Sequence, residues 1–193
     1  MKNHSHPNTD IAGRLQHAPA EDRLILVDPF DNPVGEMGKA DAHAEGRLHR
    51  AFSVFVVGEH GMLVQRRAAD KYHSGGLLAN ACCSHPRAGE TLRDAVPRRM
   101  TEELGFSCPV REIFSFIYRA PVGAGLIEYE YDHVFLARYD GDVQPNPDEI
   151  DEVLWLPFDT LSEMLLDTPE QFAPWFIIAA PRVLKGLSRS ADA

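Results

Sequence analysis

Thr91-Leu92-Arg93-Asp94-Ala95-Val96-Pro97-Arg98-Arg99-Met100-Thr101-Glu102-Glu103-Leu104-Gly105 is the stretch around which the chain organises. Its apolar residues at 92, 95, 96, 100 and 104 recur with a 3.6-residue period, so the segment reads as a helix with one buried stripe. Thr91 stands at the N-cap with an acid three residues later, and Gly105 stands where a left-handed residue closes a helix. Pro97 conflicts with this reading. Inside a helix it removes a backbone donor and clashes with the preceding turn, at a cost of about 3 kcal/mol. A kink there, or a start later than Thr91, is expected.

Most of the chain before and after this helix alternates with period two. Residues 24–27 read as a strand entering a turn through 28–33, and residues 52–57 and 62–66 as a hairpin across Glu59-His60-Gly61. Residues 79–83 form a shorter strand candidate, 113–119 and 127–138 a long antiparallel pair around a loop at 121–125, and 152–157 one strand more. Two further helices are expected at 159–166 and 172–187, the second open to a break at Pro181. A mostly antiparallel or mixed sheet with one central helix and helices at the C-terminal end is an α+β fold, layered α/β/α. One domain at 21–188 is expected, with tails at 1–20 and 189–193.

Composition narrows the function. Among 193 residues, 19 Lys and Arg face 29 Asp and Glu, a formal net charge of −10, so the chain has no broad basic field for nucleic acid or an anionic membrane. A small anionic substrate held by a few placed cations remains compatible with it. No apolar run approaches the roughly 20 residues that cross a bilayer. The first 20 residues, rich in His and Pro, lack the apolar core of a signal peptide. The three cysteines, two of them adjacent, make no even disulfide framework, so a reducing cytosol is expected.

Three groups of residues could carry chemistry. In Asn80-Ala81-Cys82-Cys83-Ser84-His85-Pro86, strand alternation puts Cys83 and His85 on one face and Cys82 on the other. Cys82 then reads as core filler. Cys83 reads as a reactive thiol whose pKa a nearby cation or metal would lower. In Ile127-Glu128-Tyr129-Glu130-Tyr131, the two acids share a face; that pattern usually marks a solvated strand, but the apolar neighbours allow both to be buried. Buried carboxylates need a metal, a cation or a proton. His43, His49 and His85 with Glu128 and Glu130 make an N/O donor set suited to a divalent first-row ion or magnesium.

The helix carries a further pattern. Glu90, Arg98, Glu102, Glu103 and Gly105 fall on the spacing of the Nudix box, in which glutamates hold a divalent ion against a diphosphate. Arg98 with Glu102 and Arg99 with Glu103 are equally i,i+4 pairs of an ion-paired helix surface. Ser84 stands where the box has its first glycine, and Arg99 replaces an acid central to hydrolysis. The scaffold resembles a Nudix fold that has lost hydrolytic chemistry.

From about Leu24 to Leu184 the chain resembles the type I isopentenyl-diphosphate delta-isomerases. The resemblance rests on Ala42-His43, Leu48-His49-Arg50-Ala51-Phe52-Ser53, Gln65-Arg66-Arg67, Lys71-Tyr72-His73-Ser74-Gly75-Gly76, the Asn80–Pro86 stretch, Glu102-Glu103-Leu104-Gly105 and Glu128-Tyr129-Glu130. Leu78-Ala79, where the family usually has Trp-Thr, and Pro97 depart from its pattern. The resemblance implies interconversion of isopentenyl and dimethylallyl diphosphate by metal-dependent proton addition and removal. It implies one divalent metal, magnesium, manganese or zinc, on His43, His49, His85, Glu128 and Glu130. Catalysis falls to Cys83 and Glu130, assisted by Tyr118. Glu103 would hold a magnesium ion on the substrate diphosphate, Lys39, Arg67, Lys71 and Arg99 would grip its phosphates, and Trp175 would face the hydrocarbon.

The expected partner is that small molecule, with neither nucleic acid nor membrane, and the expected state a monomer or weak dimer. Two other readings compete. A Nudix hydrolase of a diphosphate is disfavoured by Arg99. A catalytically inactive prenyl-diphosphate-binding module is disfavoured by Cys83 and Glu130, which a pure binder does not need.

Overall fold

The computed structural model describes residues 23–191, so the expected tail at 1–20 and the last two residues lie outside it. Nine strands form one sheet: β1 (Arg23–Val27), β2 (Pro33–Gly38), β3 (His49–Gly58), β4 (Gly61–Arg67), β5 (Leu78–Asn80), β6 (Cys82–Ser84), β7 (Val110–Pro121), β8 (Ile127–Arg138) and β9 (Ile150–Leu156). The helices are α1 (Lys39–Glu45), α2 (Leu92–Leu104), α3 (Phe158–Asp167) and α4 (Pro174–Ala191), with a 3₁₀ turn at Pro169–Gln171. Among the described residues no helix is long and apolar enough to cross a membrane.

Strand alternation builds the layers. On β3, Phe52, Val54 and Val56 join Ala95, Val96, Met100 and Leu104 of α2 in one buried cluster. Phe55 and Val57 point the other way and join Trp175, Phe176, Ala179 and Val183 of α4. The sheet is therefore a shared wall between two cores, the α/β/α layering expected of it. β3 runs parallel to β8 along nine residue pairs, from His49↔Glu130 to Val57↔Arg138. The other pairings between strands are antiparallel.

Both proline-bearing helices are continuous, without the later start or the break expected of them. α2 begins at Leu92, directly after Thr91, whose hydroxyl accepts from the Asp94 amide, and it runs unbroken through Pro97. α4 likewise runs unbroken through Pro181. Each proline costs a hydrogen bond, but each helix buries an apolar stripe of several side chains, and a buried Leu, Val or Phe returns about 1.5–3 kcal/mol. The tertiary term prevails.

The expected single strand at 79–83 is two strands. β3 and β4 pair only from Gly58↔Gly61 to Val56↔Leu63 and then diverge. β5 attaches to β4 and β6 to β3. Side chains bond the backbone around the connecting Ala81: Gln65 Nε2 donates to the Ala81 carbonyl at 3.1 Å, and Asn80 Nδ2 donates to the Cys82 and Val54 carbonyls at 2.6 and 3.3 Å.

Gly61 makes the hairpin possible. Its φ is +113°, and a Cβ there would sit 2.1 Å from the Leu156 carbonyl oxygen. Gly61→Ala is expected to destabilise the protein by about 2–4 kcal/mol, read from denaturant unfolding. A loss below 0.5 kcal/mol would show that β9 yields freely at this contact.

Candidate active site

The site occupies the face of the sheet that carries the α4 core, beyond the N-terminal end of that helix. His43 lies on α1, which ends at Gly46 in the left-handed conformation, and the chain then enters β3 at His49. His43 Nδ1 lies 2.7 Å from the Lys39 carbonyl and His49 Nδ1 lies 2.8 Å from the Arg47 carbonyl. A carbonyl only accepts, so both rings carry a proton on Nδ1 and turn Nε2 to the interior.

Register supplies the rest. Glu130 lies beside His49 across the β3–β8 pair and beside Tyr118 across the β7–β8 pair. Glu128 precedes it by two residues on the same face, and His85 directly follows β6. His43, His49, His85, Glu128 and Glu130 each bring one ligand atom to a group spanning no more than 4.8 Å. His85 Nε2 lies 2.7 Å from Glu130 Oε1 and 3.2 Å from His49 Nε2. The solvated-strand reading of the two acids is thereby excluded, since both are buried.

The five residues fit a divalent ion. His43 Nε2 and Glu128 Oε2 are buried with no hydrogen-bond partner. Leaving such an atom unpaired costs about 1–3 kcal/mol, which a cation among these donors would offset. Three imidazole nitrogens and two carboxylates suit a divalent first-row ion or magnesium. Burial pushes the His85 imidazole down to about 4, keeping it neutral, as a ligand must be. For Glu128 burial opposes ionisation, but the neighbouring His43 and His73 imidazoles prevail and hold its carboxyl well below the ordinary range. Glu130 is held down in the same way, against burial and the Glu128 charge, by His49 and His85.

Cys83 and Cys82 part as strand alternation requires. Cys82 lies in the α2 core, while Cys83 lines the site cavity together with Tyr118, Glu130 and Trp175. Arg67 Nη1 donates to Cys83 Sγ at 3.4 Å, and Tyr118 Oη donates to Glu130 Oε2 at 2.7 Å. The expected lowering of the thiol pKa is corrected here. Burial pushes Cys83 up to about 12, and the Arg67 charge does not overcome it, because Glu103, Glu130 and Asp132 add to the upward shift.

Trp175 is buried and oriented by Asn80, whose Oδ1 accepts from the indole Nε1 at 3.0 Å. The ring already has a cation near it: the Arg67 guanidinium carbon lies 5.3 Å from its centroid. Leu78, of the departing Leu78-Ala79 pair, sits in the core with Phe172 and Trp175 and disturbs none of the site's polar contacts.

Lys39, Lys71, Arg99 and Glu103 line the same cavity. The helix pattern divides. Arg98 bonds Glu90 twice at 2.6 Å and reaches Glu102 at 3.1 Å, an ion-paired surface. Glu103, on the next face, is buried and bonded to Arg99 at 2.5 Å. Burial raises the Glu103 carboxyl even so, and Arg99 only partly offsets it.

Two residues of the site escaped the sequence reading. His73 Nε2 lies 2.7 Å from Glu128 Oε1, and its only sequence signal was membership in the Lys71–Gly76 motif. Glu149 binds both Lys71 and Arg99, and in the sequence it is one acid in an acidic run at 148–152.

Comparison with known proteins gives the family and the fold. The NUDIX domain family model matches residues 47–176. Among solved structures, the protein DR0079 of Deinococcus radiodurans superposes with a TM-score of 0.69 at 24% identity, covering 83% of this chain and 98% of its own. The MutT protein of Methanosarcina mazei superposes with a TM-score of 0.58 at 17% identity, covering 76% and 96%. The fold is thus that of a Nudix-domain protein. A protein named isopentenyl-diphosphate Delta-isomerase 2 from Photorhabdus laumondii is 48% identical over 86% of this chain and 92% of its own length. One named isopentenyl-diphosphate Delta-isomerase from Burkholderia multivorans is 49% identical over 81% and 89%. The chain belongs to the isopentenyl-diphosphate Delta-isomerase family.

Proposed function

We propose that the protein interconverts isopentenyl diphosphate and dimethylallyl diphosphate. The observation that carries this reading is one cavity lined by the Cys83 thiol, a Tyr118-bonded Glu130 carboxylate and four cationic side chains. The reaction adds a proton to the terminal alkene carbon and removes one from the neighbouring methylene, so atoms balance with no oxidant and no water. It needs one group holding a proton and one able to take it. Cys83 and Glu130 form such a pair, with Tyr118 relaying at the Glu130 oxygen. The reverse direction exchanges their parts.

The remaining residues hold the alkene in place. Lys39, Arg67, Lys71 and Arg99 grip the diphosphate, and Glu103 holds the magnesium ion that arrives with it. Binding energy from that remote end keeps a small alkene in register. The Trp175 ring face stabilises the tertiary carbocation-like state, a contact worth about 2 kcal/mol when desolvated. His43, His49, His85, Glu128 and Glu130 would hold one magnesium, manganese or zinc ion, which supplies a fixed positive charge that sets the geometry and acidity of Glu130. Free Cys82, Cys83 and Cys108 suit a reducing compartment such as the cytosol.

Incubation of the protein with isopentenyl diphosphate and magnesium is expected to yield dimethylallyl diphosphate with no phosphate released. Phosphate without an allylic product would favour a hydrolase and reject the proposal. Binding without either product would mark an inactive prenyl-diphosphate-binding module.

A further inference from the structure

Glu149 stands where the proposed substrate must bind. Its carboxylate is in close contact with Lys71 Nζ and accepts from Arg99 Nη2 at 3.1 Å, so it bridges two of the four cations assigned to the diphosphate. It lines the cavity together with them. With Glu103, Glu128 and Glu130 it makes four carboxylates against the four cations Lys39, Arg67, Lys71 and Arg99.

Its backbone is pinned by the chain around it, and its side chain is held by the two cations. The Ala68 amide donates to the Glu149 carbonyl at 3.0 Å, and the Glu149 amide donates to Asn146 at 3.0 Å. The Asn146 amide donates in turn to Glu103, and that of Gln144 to Leu104, tying this loop to the end of α2. Glu149 is half-buried, and the backbone hydrogen bonds that hold the loop do not involve its carboxylate.

We infer that Glu149 is an internal stand-in for the diphosphate, a specificity-determining residue that occupies Lys71 and Arg99 until substrate displaces it. The inference rests on the assignment of those two cations to the phosphates. A partly exposed ion pair is weak, so the contact neutralises the cations without blocking them. A monoanion of low charge gains too little at the two cations to displace the carboxylate. A diphosphate, with two phosphoryl groups, engages both cations at once and gains more than it displaces.

The test is calorimetric titration of inorganic diphosphate into the full chain at fixed ionic strength. Glu149→Gln keeps the shape and removes the charge, and is expected to bind roughly three- to tenfold tighter than the wild type. Glu149→Ala should tighten binding likewise. Glu152→Gln, which breaks the exposed 3.3 Å pair with Arg66 and removes the same charge outside the cavity, should leave it unchanged. Affinity unchanged or weaker in both Glu149 variants overturns the inference. Lys71→Ala and Arg99→Ala separate the two readings: wild-type affinity in both would remove the phosphates from these cations, and the fault would lie with the site assignment.

Discussion

Cys83→Ala is expected to lower turnover by a factor on the order of 10³–10⁴, while Cys82→Ala stays near the wild type. The two residues are adjacent and chemically identical, so any difference comes from position. Cys83 lines the cavity with Tyr118 and Glu130 and takes a hydrogen bond from Arg67. Its removal leaves the alkene with one proton-transfer group instead of two. Cys82 is buried in the α2 core, where loss of the sulfur leaves a small void costing about 1 kcal/mol of stability. Steady-state kinetics on both variants, with melting curves to show that each folds, decides the matter. Equal losses of turnover would refute the assignment of the thiol.

Removal of the bound divalent ion is expected to abolish turnover and to lower the melting temperature by roughly 5–10 °C, as for an ion at about 100 times its Kd. The argument is the packing around the five ligands. Two acids and three imidazoles come within 4.8 Å of one another, and two of their buried atoms lack any partner. Without a cation the folded state keeps those costs; with one they are offset. Melting curves with chelator, and then with added magnesium, manganese or zinc, measure the effect and rank the metals. Glu128→Gln should make the melting temperature insensitive to chelator. A wild type already insensitive to it would reject the metal site.

The layers and the hairpin were legible in the sequence because periods of 3.6 and 2 are local, and local pattern is what a chain displays directly. The convergence of the ligands was legible only in part. Alternation placed Glu128 with Glu130, and Cys83 with His85, but no spacing states that His49 lies beside Glu130, since that follows from a parallel pairing of strands 80 residues apart in the chain. The family resemblance covered that gap. Glu149 stayed hidden for the opposite reason. Its partners are Lys71 and Arg99, far from it in sequence, and an acid among acids carries no mark of which one is turned inward. Both prolines misled because a helix's own cost is local, whereas the burial that outweighs it is not. The thiol's pKa misled because the cation beside Cys83 was foreseeable, while the depth of burial and three surrounding carboxyls were not.

The break at Ala81 bears on fidelity of assembly. A slip of β6 by one residue along β3 would bring Cys82 to the place of Cys83, and a thiol would still face the cavity. The same slip would replace His85 by Ser84 among the donors. Doubling the cysteine makes that strand tolerant of error in its thiol and intolerant of it in its imidazole, so a bound cation would act as a proofreader. The Asn80 and Gln65 amides, fastened to backbone carbonyls on either side, hold the alignment before any ion arrives.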